Sequence, residues 1–339
     1  MAKNSNLHAA KVAKNDEFYT MLTDIEKEMS YYKDFFKGKV VYCNCDDARE
    51  SNFFKYFSKN FEFLGLKKLI TTGYKAEGKG VVLVYEGDKN GNRKVEDNEI
   101  VVRQLEGSGD FRSEECIEFL KEADVVVTNP PFSLFREYVK QLMDYGKKFI
   151  ILGNNNAVID TCIFPYIKED KLWLGVSSNA TMEFKLPEHY EKWSRVENGV
   201  KYGKVPAISW FTNIENKNRN TPLDLYKRYS NEYPHYENYD AIEVSKVTDI
   251  PMDYDGVMGV PITFLSKYCP AQFEILGISG NKNLYGLMTK KYTGQECKDA
   301  YFAKFGKKGI YDLNATCAIY KNGLLEKTYG RIFIRKRTA

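Results

Sequence analysis

The chain has 339 residues, of which 43% are hydrophobic and 14% aromatic. This composition excludes a disordered chain, and the length allows one large domain or two ordinary ones. Seven cysteines without a Cys-x-x-Cys pair and three scattered histidines predict no bound metal and no disulfide framework, hence a reducing, cytoplasmic setting. The chain shows no signal-like start and no apolar run of about 18 residues, so no membrane association is expected.

The net charge of +4 is unevenly distributed along the chain. Residues 282–339 carry 13 Lys and Arg against 4 Asp and Glu, a net charge of +9, which leaves −5 for the remainder. Such asymmetry favours a polyanionic partner, although a solvated basic face gives the same count. Basic residues interleaved with tyrosine and phenylalanine in this segment suit phosphate contact and base stacking.

The first elements predict an α/β fold. Residues 1–15 are polar and basic and predict a mobile arm, and Asp16–Thr20 precede a helical run from Ile25 to Phe36. The apolar segment 39–43 then ends in the polar residues 44–47, and a helical pattern follows. This is the first strand–loop–helix unit of a doubly wound sheet.

Residues 66–74 predict the second strand, and residues 81–85 and 98–105 flank a turn and predict a hairpin insertion. The segment Gly107–Arg112 is a glycine-rich loop before a helix from Ser113 to Lys121, and one alternative for Asp110 is that it caps that helix. Core strands are then expected at 124–128 and 147–153. Further strands without intervening helices, up to residue 213, predict an antiparallel edge.

The strand 124–128 ends abruptly at Asn129-Pro130-Pro131-Phe132. Because ligands bind beyond the carboxyl ends of parallel strands, this tetrapeptide is expected at the rim of an active site. A residue before proline is held extended, and proline fixes its own φ. The Asn129 amide oxygen and the Pro130 carbonyl are therefore two fixed acceptors that suit an exocyclic amine, and Phe132 offers a face for stacking.

Two bound acceptors would draw an aromatic amine towards tetrahedral geometry and localise its lone pair. The nitrogen could then attack an electrophilic methyl group in line, by positioning and preorganised electrostatics rather than by a strong base. The alternative is that Asn-Pro-Pro-Phe is only a rigid turn. Its place between a strand and a helix-like run, Leu134 to Tyr145, favours a functional role.

The chain turns polar at 216–221 and meets Pro222, which predicts a domain boundary. The expected organisation is an arm at 1–15, a catalytic domain at 16–215 and a C-terminal region at 216–339. Candidate DNA contacts in the last region are basic residues: Lys290, Lys291, Lys307, Lys308, Arg335 and Arg337. DNA affinity should then fall with salt, and truncation near residue 282 should weaken it.

The run 129–138 resembles the EcoRI-type adenine-N6 DNA methyltransferase family. The segments Cys43–Asp47 and 249–265 resemble the same family. The likeness spans roughly residues 15–280 and is weakest in the 81–105 hairpin and the last sixty residues. It implies a Rossmann-like sheet that binds S-adenosylmethionine, with a C-terminal DNA-recognition region.

The resemblance also implies cofactor contacts. Phe18, Tyr19 and Thr20 resemble the segment that cradles the methionine end of S-adenosylmethionine. Asp110 and Phe111 resemble the segment that accepts from the adenine amine of the cofactor and packs on its ring. Asn44 and Asp46 stand where most methyltransferases carry a glycine-rich loop, and we assign them to the cofactor.

The implied reaction is N6 methylation of an adenine flipped out of double-stranded DNA, with GAATTC, modified at its second adenine, as the first sequence to test. A restriction endonuclease would be a functional partner without a stable complex, and the enzyme would act as a monomer in a bacterial cytoplasm. Two alternatives stay open: methylation of a protein glutamine amide, and a non-catalytic DNA-binding relative, which the missing glycine-rich loop suggests. Offering DNA and peptide acceptors to the protein tests the first alternative. Titration with S-adenosylmethionine tests the second, because a non-catalytic relative should not bind the cofactor.

Overall fold

The computed structural model describes residues 18–45, 48–75, 77–188, 190–280 and 285–337. The chain divides into two compact units. The first comprises the described residues of Met1–Asn155 together with Leu172–Asn216, and the second comprises Asn156–Lys171 and the described residues of Lys217–Ala339. The sequence-based catalytic region 16–215 therefore differs from the first unit at residues 156–171, which pack in the second. None of the helices in the described ranges is long and apolar enough to span a bilayer.

The first unit is built on one eleven-stranded sheet. Its strands are β1 (Tyr19–Thr20), β2 (Val40–Cys43), β3 (Lys68–Gly73), β4 (Val81–Tyr85), β5 (Ile100–Gln104), β6 (Val125–Thr128), β7 (Lys148–Asn154), β8 (Trp173–Leu174), β9 (Ala180–Lys185), β10 (Arg195–Glu197) and β11 (Val200–Thr212). The helices are α1 (Leu22–Met29), α2 (Asn52–Lys59), α3 (Phe61–Leu64), α4 (Glu114–Glu122) and α5 (Phe135–Asp144).

The centre of the sheet is parallel, in the order β7-β6-β2-β3. The chain runs outward from β2 to β3 and later returns to the other side of β2 as β6, so the strand order switches between β2 and β6. Ligands of doubly wound sheets bind beyond the carboxyl ends at such a switch. The predicted doubly wound α/β fold is confirmed, and by this rule the ends of β2 and β6 are where a ligand site is expected.

Antiparallel strands flank the parallel centre on both sides. On one side β11 pairs with β7 and β9, so the predicted antiparallel edge is present. The expectation that no helix intervenes is wrong, because a 3₁₀ turn at Asn155–Ile159 and a helix at Phe164–Lys168 lie between β7 and β8. On the other side β4 pairs with β3, and β5 with β4. The predicted hairpin is therefore present, but it extends the main sheet rather than standing apart as an insertion, because the backbone of β3 offers an open edge.

Apolar burial explains why these segments become the core. Val125, Val126 and Val127 are fully buried because helices cover both faces of a parallel sheet, so a strand there needs apolar residues at every position. The predicted helix 25–36 is shorter than expected: α1 ends at Met29, and a separate 3₁₀ turn covers Lys33–Phe36. Glu28 accepts hydrogen bonds from the backbone N–H groups of Val176 and Ser177, which ties α1 to the chain after β8.

The second unit contains a four-stranded sheet and a hairpin. The sheet has the order β12 (Ile242–Glu243), β13 (Met258–Pro261), β17 (Arg331–Lys336) and β14 (Phe273–Ile278), and the hairpin consists of β15 (Ala318–Lys321) and β16 (Leu324–Lys327). The helices are α6 (Phe164–Lys168) and α7 (Gly294–Phe305). Because β17 pairs on both sides, the truncation suggested near residue 282 would remove an interior strand of this sheet, so point substitutions are the better test of DNA contacts.

A buried ion pair joins two strands of this sheet. The Arg331 guanidinium donates to Glu243, with a distance of 3.0 Å from Nε to Oε2, and the Tyr236 hydroxyl donates to the same carboxylate. The Arg331 and Glu243 side chains are 8% and 3% exposed. Arg335, two residues along β17, pairs with Glu274 at 3.0 Å, with both side chains 40% exposed or more.

Arg331→Ala is expected to lower the free energy of opening this sheet by about 3–5 kcal/mol, because it leaves the Glu243 carboxylate buried without its cationic partner. Arg335→Ala is the matched control on the same strand and should cost about 0–1 kcal/mol. Hydrogen exchange of peptides from β13, β14 and β17 measures both, since Trp173, Trp193 and Trp210 all lie in the first unit and their fluorescence would miss the change. Equal effects of the two substitutions would contradict the conclusion that the Arg331–Glu243 pair is buried and the Arg335–Glu274 pair is not.

Candidate active site

The carboxyl ends of β2 and β6 are joined by a hydrogen bond. The Thr128 hydroxyl, at the last position of β6, donates to the backbone carbonyl of Asn44, which directly follows β2. Both residues are buried. The Asn44 and Asn129 side chains are thereby brought to the same edge of the sheet, at the switch in strand order.

Asn129 is held from the amino-terminal side of the chain. Its Nδ2 donates to the Phe18 carbonyl at 2.6 Å, and Phe18 immediately precedes β1. The Asn129 Oδ1 is shielded from solvent and has no hydrogen-bond partner among the described residues. Since a buried acceptor without a partner costs about 1–3 kcal/mol, an unpaired oxygen at a strand end marks a position that a donor from outside can satisfy.

The rest of the tetrapeptide forms a short turn. Pro130 is buried, and the Pro131 carbonyl accepts from the Leu134 backbone N–H at 2.9 Å. Phe132 is half-buried, and its ring centroid lies 6.2 Å from that of Phe18. The turn thus leads from β6 into α5 and leaves an aromatic ring beside Asn129.

The segment Phe18–Thr20 lines the same place. Phe18 packs on Phe184 and Tyr190, and β1 pairs with β9, so the segment is fixed by both rings and backbone. The Thr20 carbonyl accepts from Asn52 Nδ2 at 2.7 Å. The Thr20 hydroxyl oxygen is buried without a hydrogen-bond partner in the described chain, which makes it a second unsatisfied polar atom, in the segment that Asn129 contacts through Phe18.

Asn44 is oriented by a tyrosine that the sequence analysis did not assign. The Tyr138 hydroxyl, on α5, donates to Asn44 Oδ1. Burial raises the pKa of Tyr138 well above its ordinary value, so its hydroxyl remains a donor. Cys45 follows with a φ of 65°, in the left-handed region that usually takes glycine. Asp46 lies outside the described residues.

The Gly107–Arg112 loop is held against the end of β3. Gly109 has a φ of 82°, and a Cβ there would approach the Gly73 carbonyl oxygen to 2.4 Å, so only glycine fits. The next residue, Asp110, is gripped by Arg112: its Oδ1 accepts from Nε at 2.8 Å and its Oδ2 from the same guanidinium at 2.6 Å. The helix cap is supplied by Ser113, which accepts from Cys116, and not by Asp110.

Phe111 connects this loop to Asn44. Its ring meets Tyr138 edge-on at 4.9 Å, and the Arg112 guanidinium lies 5.2 Å from the Phe111 ring centroid. The chain of contacts from Phe111 through Tyr138 to Asn44 places three predicted segments in one neighbourhood. Within the described residues of the first unit, the structure therefore gathers residues 18–20, 44, 110–111 and 129–132.

The six basic residues suggested for DNA contact all belong to the second unit. Lys290 and Lys291 precede α7, and Lys307 and Lys308 follow it; all four are exposed. The two arginines are engaged with their own chain: Arg335 pairs with Glu274, and Arg337 Nε donates to the Pro270 carbonyl at 2.7 Å. The structure thus separates the lysines around one helix from the arginines at a strand end.

Comparisons with known proteins identify the family of this chain. A family model described as "Adenine-specific methyltransferase EcoRI" matches residues 6–337. The chain is 48% identical over 291 residues to Type II methyltransferase M.EcoRI of Escherichia coli, covering 81% of this chain and 89% of that protein. It is 40% identical to Type II methyltransferase M.MgeORF184P of Mycoplasma genitalium (81% and 87% covered) and 42% identical to Type II methyltransferase M.MpnI of Mycoplasma pneumoniae (80% and 85%).

The Arg112 guanidinium holds the pKa of Asp110 below its ordinary value of 3.8. A depressed carboxyl pKa stabilises the fold above the unfolded-state value, and this contribution disappears as the pH falls through the folded-state value. Arg112→Ala should therefore lower the free energy of unfolding at pH 6, and the deficit should shrink below pH of about 3.8. Urea unfolding at several pH values measures it. In an Asp110→Asn background the deficit should lose most of this pH dependence; an unchanged dependence would refute the pairing.

Proposed function

The chain belongs to the adenine-specific methyltransferase EcoRI family, and from this premise we propose that it transfers a methyl group from S-adenosylmethionine to N6 of adenine in double-stranded DNA. The observation that carries the proposal is the Asn129 amide: its nitrogen is anchored on Phe18, and its buried oxygen lacks a partner among the residues that the structure describes. An exocyclic amine is a donor of the kind that this oxygen needs. The three Type II methyltransferase relatives support DNA as the substrate.

The proposed chemistry assigns one task to each residue of the tetrapeptide. The Asn129 oxygen accepts one hydrogen of the adenine amine and the Pro130 carbonyl accepts the other, while Pro131 fixes the turn and Phe132 stacks on the base. The two acceptors localise the nitrogen lone pair for in-line attack, so that catalysis is positioning and preorganised electrostatics. Because the oxygen is shielded from solvent, the adenine must be extrahelical to reach it.

The residues around Asn129 fit S-adenosylmethionine. Bound there, this cofactor would supply an electrophilic methyl group. Phe18, Tyr19 and Thr20 would hold its methionine end, where the unpaired Thr20 hydroxyl offers a polar partner. Asn44 would contact it at the end of β2, and Asp46 is assigned there by resemblance alone. Asp110 keeps lone pairs beyond those that Arg112 uses and can accept from an adenine amine, with Phe111 as the buried wall behind it.

The biological role proposed is protection of DNA from a cognate restriction endonuclease, without a stable complex and with the enzyme as a monomer. GAATTC, methylated at its second adenine, is the first sequence to test. Identities of 40–48% to three differently named relatives do not select a sequence by themselves. We place this role in the bacterial cytoplasm, because the Type II methyltransferase relatives are bacterial proteins.

The two other functions considered from the sequence have less support. A non-catalytic relative would have no use for a buried acceptor that lacks a partner among the described residues at the switch of a doubly wound sheet. A protein glutamine methyltransferase would use the same acceptor, but the relatives are Type II methyltransferases. DNA and glutamine-containing peptides offered as competing acceptors distinguish the two substrates.

Asn129→Ala is expected to reduce methyl transfer to DNA by at least about 10²–10³-fold while leaving cofactor affinity near that of the wild type, because it removes an acceptor aimed at the reacting amine. Transfer of labelled methyl to DNA and calorimetric titration of S-adenosylmethionine measure the two properties. Asn129→Asp keeps an oxygen in place and should retain more activity than the alanine variant.

The matched control for this experiment is Asn213→Ala. The Asn213 amide is also paired with backbone, to Phe149 N–H and the Lys147 carbonyl, but at the amino end of β7 and away from the strand ends that form the site. The Asn213→Ala variant should be less stable than the wild type and should keep the wild-type rate of methyl transfer. Near-wild-type transfer by Asn129→Ala would remove this residue from the mechanism.

A second pair of variants tests the cofactor assignment of Asn44. Tyr138→Phe deletes the hydroxyl that orients Asn44, and Tyr42→Phe deletes an equally buried hydroxyl that bonds Thr72 at 2.8 Å. Each should lower the free energy of unfolding by about 0.5–1.5 kcal/mol. Only Tyr138→Phe should weaken S-adenosylmethionine binding in calorimetry. Equal dissociation constants for the two variants would argue against Asn44 as a cofactor contact.

A further inference from the structure

Helix α7 is the longest α-helix among the described residues of the second unit. It begins at a capping box, in which the Thr293 and Glu296 side chains cap each other's backbone, and ends at Gly306 in the left-handed conformation. Cys297, Ala300, Tyr301 and Lys304 lie on one face, buried or half-buried. The opposite stripe, formed by Gln295, Lys298, Asp299 and Phe302, is exposed.

The inner face of α7 is fixed to a small core. Cys297 and Ala300 pack with Leu313, Ala318 and Tyr292. Lys304 Nζ pairs with Glu326 of β16 at 2.6 Å. The hairpin is in turn fastened to the rest of the unit, because Asn238 Oδ1 accepts from the Ala318 backbone and Asn238 Nδ2 donates to the Leu313 and Thr316 carbonyls. The helix therefore packs on a core that hydrogen bonds connect to the rest of the unit.

The outer face of α7 has a composition unusual for a solvent-exposed helix. Phe302, on this face, is 59% exposed, although burial of such a ring is normally favourable. Gln295 Nε2 donates to Asp299 Oδ1 at 2.8 Å, which orients the amide along the helix. A ring, an amide, a carboxylate and an ammonium on one stripe are the groups that contact base edges: thymine methyl, adenine, cytosine and guanine, respectively.

Lysines stand at both ends of this helix. Lys290 and Lys291 lie just before the cap residue Thr293, and Lys307 and Lys308 follow Gly306. None of the four forms an ion pair with another residue that the structure describes. Twelve residues at 1.5 Å each make a helix of about 18 Å, and the major groove of DNA is about 12 Å wide. A helix laid in that groove would bring its two ends to phosphates on either side.

We propose that α7 is the DNA-reading helix of this protein, that Gln295, Lys298 and Phe302 contact base edges in the major groove, and that Lys307 and Lys308 contact phosphates. The inference rests on the proposed function, which it deepens by naming the residues of sequence recognition. Phosphate contacts set affinity and base contacts set specificity, so the two groups have separable effects.

The test uses the full-length chain and DNA that the wild type itself selects. Sequencing of modified adenines in plasmid DNA incubated with enzyme and S-adenosylmethionine identifies the methylated sequence. Fluorescence anisotropy then measures affinity for a duplex that contains this sequence and for a duplex with the same bases scrambled. The ratio of the two affinities reports recognition, whatever the sequence is.

Gln295→Ala combined with Phe302→Ala is expected to lower this ratio at least about tenfold, mainly by weakening binding to the methylated sequence. Lys307→Ala combined with Lys308→Ala should weaken binding to both duplexes alike and reduce the slope of log affinity against log salt by about 2. The matched controls are exposed residues of the first unit: Phe63→Ala, at a ring 70% exposed, and Lys59→Ala with Lys67→Ala. These controls should change neither the ratio of the two affinities nor the slope of log affinity against log salt.

The outcomes separate the two proposals. A wild type that methylates no DNA refutes the proposed function. A wild type that methylates DNA, with an unchanged affinity ratio in the Gln295 and Phe302 variant, overturns only the role of α7, as does an equal loss of affinity for both duplexes. Circular dichroism checks that the variant is folded, and hydrogen exchange of residues 294–305 in the wild type must slow when the cognate duplex is added.

Discussion

One hydrogen bond governs the candidate site, that from the Asn129 amide nitrogen to the Phe18 carbonyl. It fixes which way the amide points, and it ties the first described segment of the chain to the end of β6. The nitrogen donates one N–H to Phe18, and the oxygen has no partner among the described residues, so the oxygen is the acceptor that the amide offers to a ligand. An unpaired buried acceptor costs about 1–3 kcal/mol in the free protein, and a bound amine would relieve that cost.

The sheet makes this arrangement available. The switch in strand order puts β6 beside β2, and the bond from Thr128 to the Asn44 carbonyl holds their ends together. Tyr138 and Phe111 then extend the contacts to the loop at Asp110. The catalytic and cofactor assignments therefore depend on each other, because a shift of either strand end would move both.

Much of this was predictable from local sequence. The run of valines before Asn129 specified a buried strand, and the two prolines specified a stiff corner, because both effects act within a few residues. Other features needed tertiary structure. The partner of Asn44 lies 94 residues away at Tyr138, the hairpin at 81–104 joins the sheet through backbone atoms, and residues 156–171 pack in the second unit. The ion pair between Arg112 and Asp110 is local, yet the same short sequence is compatible with Asp110 as a helix cap or as a ligand contact.

The central claim is that the Asn129 oxygen binds the amine of the target base. It is tested most directly by a double-mutant cycle on DNA binding, in which the target adenine is replaced by purine, which lacks the amine, and Asn129 by alanine. The easier extrusion of purine is common to both enzymes and cancels in the cycle. The account predicts a favourable coupling energy of about 0.5–3 kcal/mol between amine and amide. A coupling energy of zero, in variants that remain folded, would contradict it.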